Sequence, residues 1–584
     1  MSAVRRQPES QPAERASRRW FPPSAGLPRL IGWLVWLLGI LTIAGVFLPE
    51  QRRRIHYLVQ IVGVPVLASA TATAVATVLG VLLLVLAGGL RRRKRRAWLA
   101  AVIVTLGVAL SHLARGLEVE QAGVALLVLG PLIATRREFY AVGDPTTRWY
   151  AVRLPIQLLV ASIALGMIAL VIRPGSMIGH PSLWEEFQEI TLGLIGVSGP
   201  VRFTSDRATD VVAATSLAFG VVVAFVAVYL ALRCAQPRAV LTAEDEARLR
   251  RLLELHGARD SLGYFALRRD KSVAWSESGK AAVLYRVVSG VALASGDPIG
   301  DPEAWPGAIE AFLELARRHA WIPAAIACSE RGATVYRRHG LDALELGDEA
   351  IVDIAEFTLD GRAMRGVRQA VNRLERGGYE VRIRRVRDVG PDDMIELVHV
   401  MSAWRGSSVE RGFSMALSRL GDPADADCVV VTAHQAGVLR GLLHFVPWGD
   451  CCLSLDLMRR DRTAENGLSE LMIVRLLQAG PDLGIERVSL NFAAFRAALD
   501  RGSRIGAGPV LRVWRRLLVV ASRWWQIESL YRFNVKFHPR WAPRFLCFAS
   551  GRDLPRIALA SLEAEALLVR PRPLQRMLHR EGVV

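Results

Sequence analysis

The sequence predicts a multi-domain protein in which an α-helical membrane bundle is followed by tandem α/β domains with mixed sheets. Three observations carry that reading. At 584 residues the chain exceeds what a single hydrophobic core organises. Its apolar residues are unevenly spread, in long uncharged runs up to residue 240 and in ordinary mixed sequence beyond it. Past that point, strand-like runs lead into helix-like ones, and the order occurs twice.

Residues 1–29 are rich in Arg, Pro and Ser and are expected to form a disordered basic N-terminus. Residues 30–235 are expected to form a membrane domain of about six helices, from apolar runs at 31–48, 58–90, 97–113, 122–134, 154–172 and 211–232. The first run follows charged residues, lacks the small-residue ending of a cleaved signal and precedes further runs, so it reads as a membrane helix. The basic block at 91–96 (RRRKRR) marks a cytoplasmic loop, because positive charge is retained on that side. Counting from it places the N-terminus and everything after Arg233 in the cytoplasm, although Arg52, Arg53 and Arg54 then fall in an outer loop. Glu185, Glu186 and Glu189 lie in an amphipathic segment read as an external interfacial helix. No run carries a strongly placed buried charge, so anchoring or lateral presentation of lipid is expected rather than transport.

Charge and cysteines exclude several classes. The first 240 residues hold 25 basic and 12 acidic side chains, which is +13 of the net +19 and leaves +6 for the rest. The high pI therefore belongs mostly to the membrane flanks and is no argument for nucleic-acid binding. Six cysteines show no C-x-x-C pair and no histidine at ligand spacing. Neither a metal site nor a disulfide framework is expected, and buried thiols in a reducing compartment are.

In the second part, 236–250 reads as a linker and a helix start, with Thr242 as N-cap and Asp245 three residues on. Strands are expected at 262–267, 272–275, 282–288 and 291–294, then a turn at 296–302, a helix at 305–319, a strand at 321–328 and a short helix ending at Gly340. A strand at 347–354 and a basic helix at 364–376 close a first domain, 236–380. A second, 381–560, repeats the order: strand 381–386, helix 391–404, hairpin 428–434 and 438–446, strand 452–457, helix from 468 and strand 488–492. Residues 561–584 are left as a C-terminal tail.

The stretch 453–492 organises this second domain. An alternating strand (Leu453, Leu455, Leu457) runs into a charged loop at 459–465, then Asn466-Gly467, then a helix with apolar Leu468, Leu471, Met472, Leu476 and Leu477. A basic loop at a helix start suits an anion, since unpaired backbone N–H groups point outward there; simple βαβ packing accounts for the pattern equally well. Each domain resembles the GNAT acyltransferase topology, in which a splayed central strand and the next helix start hold the acyl donor. The pyrophosphate loop of that family (Q/R-x-x-G-x-G/A) is not intact in Arg462-Thr463-Ala464-Glu465-Asn466-Gly467, where Ala, Glu and Asn precede the final glycine. An acetyl-coenzyme A donor is therefore disfavoured.

Several blocks in order resemble the aminoacyl-phosphatidylglycerol synthases, the multiple peptide resistance factor or phosphatidylglycerol lysyltransferase family: Gly263-Tyr264-Phe265-Ala266-Leu267, the 296–302 turn, Gly347-Asp348-Glu349-Ala350, 357–378 (FTLDGRAMRGVRQAVNRLERGG), 454–459, Asn466-Gly467, 489–492 and 536–544 (KFHPRWAPR). They are similar also to the membrane-bound N-terminal portion of actinobacterial lysyl-phosphatidylglycerol synthases fused to a lysyl-tRNA synthetase. The resemblance implies tandem GNAT-like folds, an aminoacyl-tRNA donor (lysyl-tRNA above others), a phosphatidylglycerol acceptor in the lipid bilayer and no cofactor. The membrane part is shorter than that of the flippase form, so lipid flipping is not expected. No synthetase sequence follows Val584, so a separate aminoacyl-tRNA synthetase is expected to charge the tRNA.

Exchanging one ester for another requires both substrates to be oriented, the hydroxyl to lose its proton and the oxyanion to be stabilised, with no metal. Asp456 and Arg459 carry the family's Asp-x-x-Arg spacing: Asp456 suits a substrate ammonium or hydroxyl and Arg459 a phosphate, whereas a salt bridge at the strand exit is the plainer account. Lys536 is the third catalytic candidate, for oxyanion or phosphate, against a solvated strand-end lysine. Asn466 and Gly467 are expected at the donor, Arg540 and Arg544 at phosphates, and Glu528 at the substrate amine or in an i, i+4 pair with Arg532. His538 and His399 are possible bases, though a lone histidine is more often structural. Arg365, Arg368 and Asn372, on the basic helix, are candidates for tRNA contact, for a membrane-facing surface or simply for a solvated face. At 511–531 a helix interleaves Trp514, Arg515, Arg516 and Trp525, a composition that suits an anionic bilayer surface or packing between the two domains. A thioester-dependent acyltransferase and a non-catalytic lipid-binding scaffold are the competing readings. The altered loop argues against the first, and Asp456, Arg459 and Lys536 together argue against the second.

Overall fold

The computed structural model describes residues 26–47, 66–91, 93–114, 119–139, 148–172, 177–231, 240–406, 412–494 and 527–568. Two compact units emerge, one built from the apolar helices and the other from the α/β sequence. The helical unit contains α1 (Leu27–Phe47), α2 (Val66–Leu90), α3 (Arg95–Ala114), α4 (Val119–Ala134), α5 (Arg148–Ile172), α6 (Leu183–Gly193) and α7 (Asp206–Ala231). Windows at Leu27–Ala44, Arg95–Leu113, Arg153–Ile172 and Asp206–Val228 are long and apolar enough to cross a membrane, and shorter apolar stretches lie at Val78–Leu90 and Val119–Ala134. Helices α1 and α2 approach closely at Gly39 and Gly80, where a side chain on Gly39 would stand 2.9 Å from the Gly80 carbonyl. The segment expected as an interfacial helix is α6, which starts in a Ser182/Glu185 capping box. Its Leu183 and Trp184 are exposed while Glu189 turns inward and accepts from the Val201 N–H at 3.1 Å.

The α/β unit opens with α8 (Ala243–His256), whose Thr242 caps the Asp245 N–H as the sequence suggests. Its strands are β1 (Ser272–Trp275), β2 (Ala281–Val288), β3 (Val291–Ser295), β4 (Ile299–Gly300), β5 (Ile322–Cys328), β6 (Asp342–Asp353), β7 (Tyr379–Arg385), β8 (Val429–Gln435), β9 (Val438–Trp448), β10 (Cys452–Arg460), β11 (Arg487–Ala494) and β12 (Arg540–Phe548). Helices α9 (Trp305–Arg318), α10 (Glu330–Arg338), α11 (Arg365–Arg376), α12 (Pro391–Arg405), α13 (Leu468–Ala479), α14 (Ile527–Val535) and α15 (Leu554–Ala564) complete it. The run at 262–267, expected as a strand, contains a 3-10 helix, Gly263–Leu267; apolar on every side, so short a run carries no period to tell the two apart.

Two halves of the same plan are visible. In each, antiparallel strands lead to a parallel pair joined by a crossover helix: β3, α9, β5 in the first and β10, α13, β11 in the second. They are not separate sheets. One continuous sheet runs β1-β2-β3-β5-β12-β6-β11-β10-β9-β8-β7, with β4 on β2. Strand β6, from the first half of the sequence, pairs β11 of the second, while β12, from the second half, pairs β5 of the first. The halves have exchanged their closing strands, and β6 and β12 pair with each other at the centre.

That exchange corrects the expected boundaries. Position 380/381 falls inside β7, and α11 before it shares a core with α13, through Val367, Val371 and Leu374 beside Leu468, Leu471 and Met472. Helix α15 begins inside the expected second domain and runs into the expected tail, yet Ile557 and Ala560 pack with Leu284, Leu293 and Ala324 of the first half.

A buried polar clasp sits where the exchanged strands meet. Arg544 of β12 pairs with Glu349 of β6 at 2.5 Å and with Asp260 at 2.8 Å, and it donates to the Ser261 hydroxyl at 2.7 Å. Glu349 also accepts from Ser261 and, at 2.5 Å, from Ser489 of β11. Burial opposes the Glu349 charge, but Arg544 and the two hydroxyls overcome it and hold the carboxyl below its ordinary 4.5. The stability this supplies is complete above about pH 4.5, where the unfolded carboxyl is ionised too, and is lost as the pH falls through the lower folded-state value. In thermal unfolding of the detergent-solubilised protein, Arg544→Ala should cost about 3–5 kcal/mol by stranding two buried carboxylates. Glu349→Gln should flatten the fall of stability on the acid side.

Candidate functional site

Helix α13 starts at an open cavity of about 320 Å³, lined by Ala363, Gly366, Val367, Ala370, Arg373, Asn466, Gly467, Glu470 and Lys536. Local sequence shapes each wall. Gly467 takes φ +101 as the N-cap, a conformation open to glycine, and a Cβ there would stand 2.9 Å from that of Ala370. Helix α11 presents Gly366, Ala370 and Arg373, a face of small residues ending in a cation. The loop before α13 is held from within. Asp461 accepts from the Thr463 N–H at 2.9 Å and hydroxyl at 2.8 Å and pairs with Arg440, contacts that keep its carboxyl below the usual range. Arg460 donates to the Ala464 carbonyl at 3.1 Å and to the Asn466 side chain at 3.3 Å, and Arg373 donates to the Asn466 carbonyl at 2.5 Å. Lys536 pairs with Glu470 at 2.7 Å. The cavity thus combines a helix start, two cations and a carboxylate that an anionic ligand can displace from Lys536.

The corresponding helix start in the first half is filled. Trp305 begins α9, is 3% exposed and donates its indole N–H to the Gly300 carbonyl at 3.2 Å.

Asp456 and Arg459 lie on the other face of the sheet. In β10, Leu453 and Leu455 join the α11/α13 core. A β-bulge between Leu455 and Leu457 then inserts one residue, after which Leu457 joins the core under α12. The alternation therefore slips by one: Arg460 serves the cavity loop, while Arg459 donates to the Met401 carbonyl of α12 at 2.9 Å. Asp456 accepts from the Leu417 N–H at 2.6 Å and meets His444 Nδ1 of β9 at 2.7 Å, with both side chains at most 3% exposed. Parallel pairing of β10 with β11 extends only over Cys452–Ser454 and Arg487–Ser489, so the two strands part just before Asp456. Where they part, Asn491 has φ +67 and donates to the Leu455 carbonyl at 2.5 Å, and Asn534 reaches the Leu490 carbonyl at 3.4 Å.

Of the sequence candidates, Asn466, Gly467 and Lys536 are brought together. Arg365, Arg368 and Asn372 occupy the opposite side of α11, away from the cavity, and Arg368 donates to the Leu359 and Gly361 carbonyls. Arg544 is internal, 4% exposed, because it holds the strand exchange, and is thereby corrected as a phosphate ligand. Arg540 is exposed near Asp353, at 3.7 Å. His399 and His538 are both exposed. Glu528 falls on α14, and Trp514, Arg515, Arg516 and Trp525 lie outside the described residues. Sequence reasoning missed Arg373, which shares a helical face with Gly366 and Ala370, and His444, a lone histidine inside the apolar run LLHFV. Among the described residues no group of three or more His, Cys, Asp or Glu side chains is placed to hold a metal.

Helices long and apolar enough to cross a membrane, and a two-halved α/β sheet with a basic cavity at a helix start, are the features that define the class of protein. The chain belongs to the family described as phosphatidylglycerol lysyltransferase, C-terminal, whose profile matches residues 250–548, and residues 24–232 match the transmembrane region of lysyl-tRNA synthetase. It is a membrane protein. It is 47% identical over 496 residues to the lysylphosphatidylglycerol biosynthesis bifunctional protein LysX of Rhodococcus opacus, covering 83% of this chain and 44% of that one. Its identity to the LysX of Mycolicibacterium gilvum is 41% over 580 residues, covering 97% and 51%. The chain thus spans about half the length of the curated relatives it matches. A crystal structure of the C-terminal domain of a putative lysylphosphatidylglycerol synthetase from Agrobacterium fabrum aligns with a TM-score of 0.46 at 26% identity, over 55% of this chain and 96% of that one.

Two glycines of the cavity should respond oppositely to alanine. Gly467→Ala places a side chain at positive φ against Ala370 and should cost about 1–3 kcal/mol. Gly366→Ala, whose added Cβ meets nothing within 4 Å, should gain up to about 1 kcal/mol by helix propensity. Chemical denaturation of the two variants checks the contrast.

Proposed function

We propose that this protein transfers an aminoacyl group, lysyl above others, from aminoacyl-tRNA to the glycerol hydroxyl of phosphatidylglycerol at the cytoplasmic membrane face. The observation that carries this is the basic cavity at the start of α13, on a loop that holds Glu465 at the first glycine position of a pyrophosphate cradle, in a chain of the phosphatidylglycerol lysyltransferase family. In this reading the second half is catalytic. The 3′-terminal nucleotide of the tRNA occupies the cavity, with Lys536 and Arg373 on its phosphate and the α13 N–H groups beside it. The aminoacyl ester then enters where β10 and β11 part, with Arg459 on the side of the lipid and Asp456 orienting the hydroxyl from within. Arg459 suits the lipid phosphate, and the oxyanion of the tetrahedral intermediate is met by donors already in place. The membrane part anchors the enzyme by several spans. The basic block at 91–96 supports a cytoplasmic α/β unit, on the side where charged tRNA is found. The product carries added positive charge, which lowers the attraction of the membrane for cationic antimicrobial peptides.

Membranes holding the protein, given phosphatidylglycerol and radiolabelled lysyl-tRNA, should form a labelled lipid, and RNase pretreatment should abolish it. No RNase-sensitive lipid with lysyl-, alanyl- or any other aminoacyl-tRNA would overturn the proposal. Label transfer from an acyl thioester instead would place the protein among thioester-dependent acyltransferases. Lys536→Ala removes one charge-assisted phosphate contact and should lower kcat/KM for the charged tRNA about 10- to 100-fold.

A further inference from the structure

The buried pair Asp456–His444 is more than a salt bridge at a strand exit. A carboxylate can only accept, so the neutral imidazole places its proton on Nδ1, 2.7 Å from Asp456 Oδ2. The Nε2 lone pair is left over. His444 is 1% exposed, and Nε2 has no hydrogen-bond partner among the described residues. Leaving a buried acceptor unmet is costly, so a donor arriving there is favoured. The atom lies one strand from the place where β10 and β11 part, on the sheet face opposite the α13 cavity. Asn491 and Asn534, which bridge to the carbonyls of Leu455 and Leu490 at that opening, likewise hold buried side-chain oxygens without a partner. A buried acceptor left unmet on that face fits a ligand that brings a hydroxyl donor.

We propose that His444 Nε2 is the general base that takes the proton of the acceptor hydroxyl, and that Asp456 is a positioning residue that holds the imidazole in this tautomer. The inference rests on the aminoacyltransferase reading and adds its proton carrier. The acceptor O–H gives its proton to Nε2 as its oxygen bonds to the ester carbonyl carbon. The tetrahedral intermediate collapses by breaking the bond to the tRNA ribose oxygen, and that oxygen takes the proton back from the imidazolium. One ester forms and one breaks, with no net change in protons. The sheet separates donor from acceptor: the anionic tRNA end binds at the α13 face, the hydroxyl comes from the α12 face, and the two meet where β10 and β11 part.

The test compares His444→Asn with the wild type in the lipid-labelling assay. Asparagine offers an amide N–H where Nδ1 stood, so it keeps the bond to Asp456 but has no base at the Nε2 position. Expected are unchanged Tm, unchanged KM for lysyl-tRNA and for phosphatidylglycerol, and kcat lower by about 10²- to 10⁴-fold. A merely structural histidine predicts kcat within a few-fold of wild type, and that result overturns the inference while leaving the transferase reading in place. A wild-type protein inactive with every aminoacyl-tRNA overturns the transferase reading itself. Should His444→Asn fail to fold, His444→Gln is measured in its place: loss of kcat at unchanged KM for both substrates supports the inference, and kcat within a few-fold of wild type overturns it.

Discussion

The buried pairing of Arg544 with Glu349 and Asp260 is the contact on which the rest of the α/β unit depends. It sits where β6 and β12 cross from one half to the other, and Ser261, Ser489 and the neighbouring strands are tied to it by hydrogen bonds. A buried charge triad of this kind is a poor source of net stability against an apolar replacement, yet breaking it is severe. Its physical effect is on register. A carboxylate on β6 and a guanidinium on β12 satisfy one another only when the two strands align as they do, which fixes which half each strand completes. Without that alignment β11 loses its outer neighbour, and the opening beside Asp456 loses one wall.

The exchange also explains why the halves differ in use. Both carry a crossover helix after a parallel strand, the arrangement that leaves a helix start free to meet an anion. In the first half the space is taken by Trp305, and in the second it is lined by Gly366, Ala370 and Gly467 and edged by Arg373 and Lys536. One half has become the frame that carries β12 to the centre, and the other keeps the cavity.

Much of this was legible beforehand. Apolar run lengths located the helical unit, because spanning a bilayer imposes a length that sequence displays directly. Period-two and period-three-to-four patterns located most strands and helices of the α/β unit, though not β12 or α15, and the turn chemistry of Asn466-Gly467 marked the start of α13. Family blocks pointed to the same loop and to Lys536. The run at 262–267 was misread because a short segment buried on all sides has no period.

What the sequence determined by itself was therefore the inventory: two kinds of unit, two α/β halves, a modified loop at a helix start and a handful of charged candidates near it. What only the tertiary structure decided was which candidates meet. Alternation along a strand assigns faces only while the register is unbroken, and the bulge at Asp456 reverses it, so that Arg459 rather than Arg460 goes to the α12 face. The partner of Asp456, His444, sits on the neighbouring strand twelve residues earlier, where local pattern marks it as core. Arg544 reads as a surface phosphate ligand in its basic motif, and only the long-range pairing of β12 with β6 buries it. Bulges, strand exchange and cross-strand pairs arise from contacts distant in the chain, which no local pattern encodes.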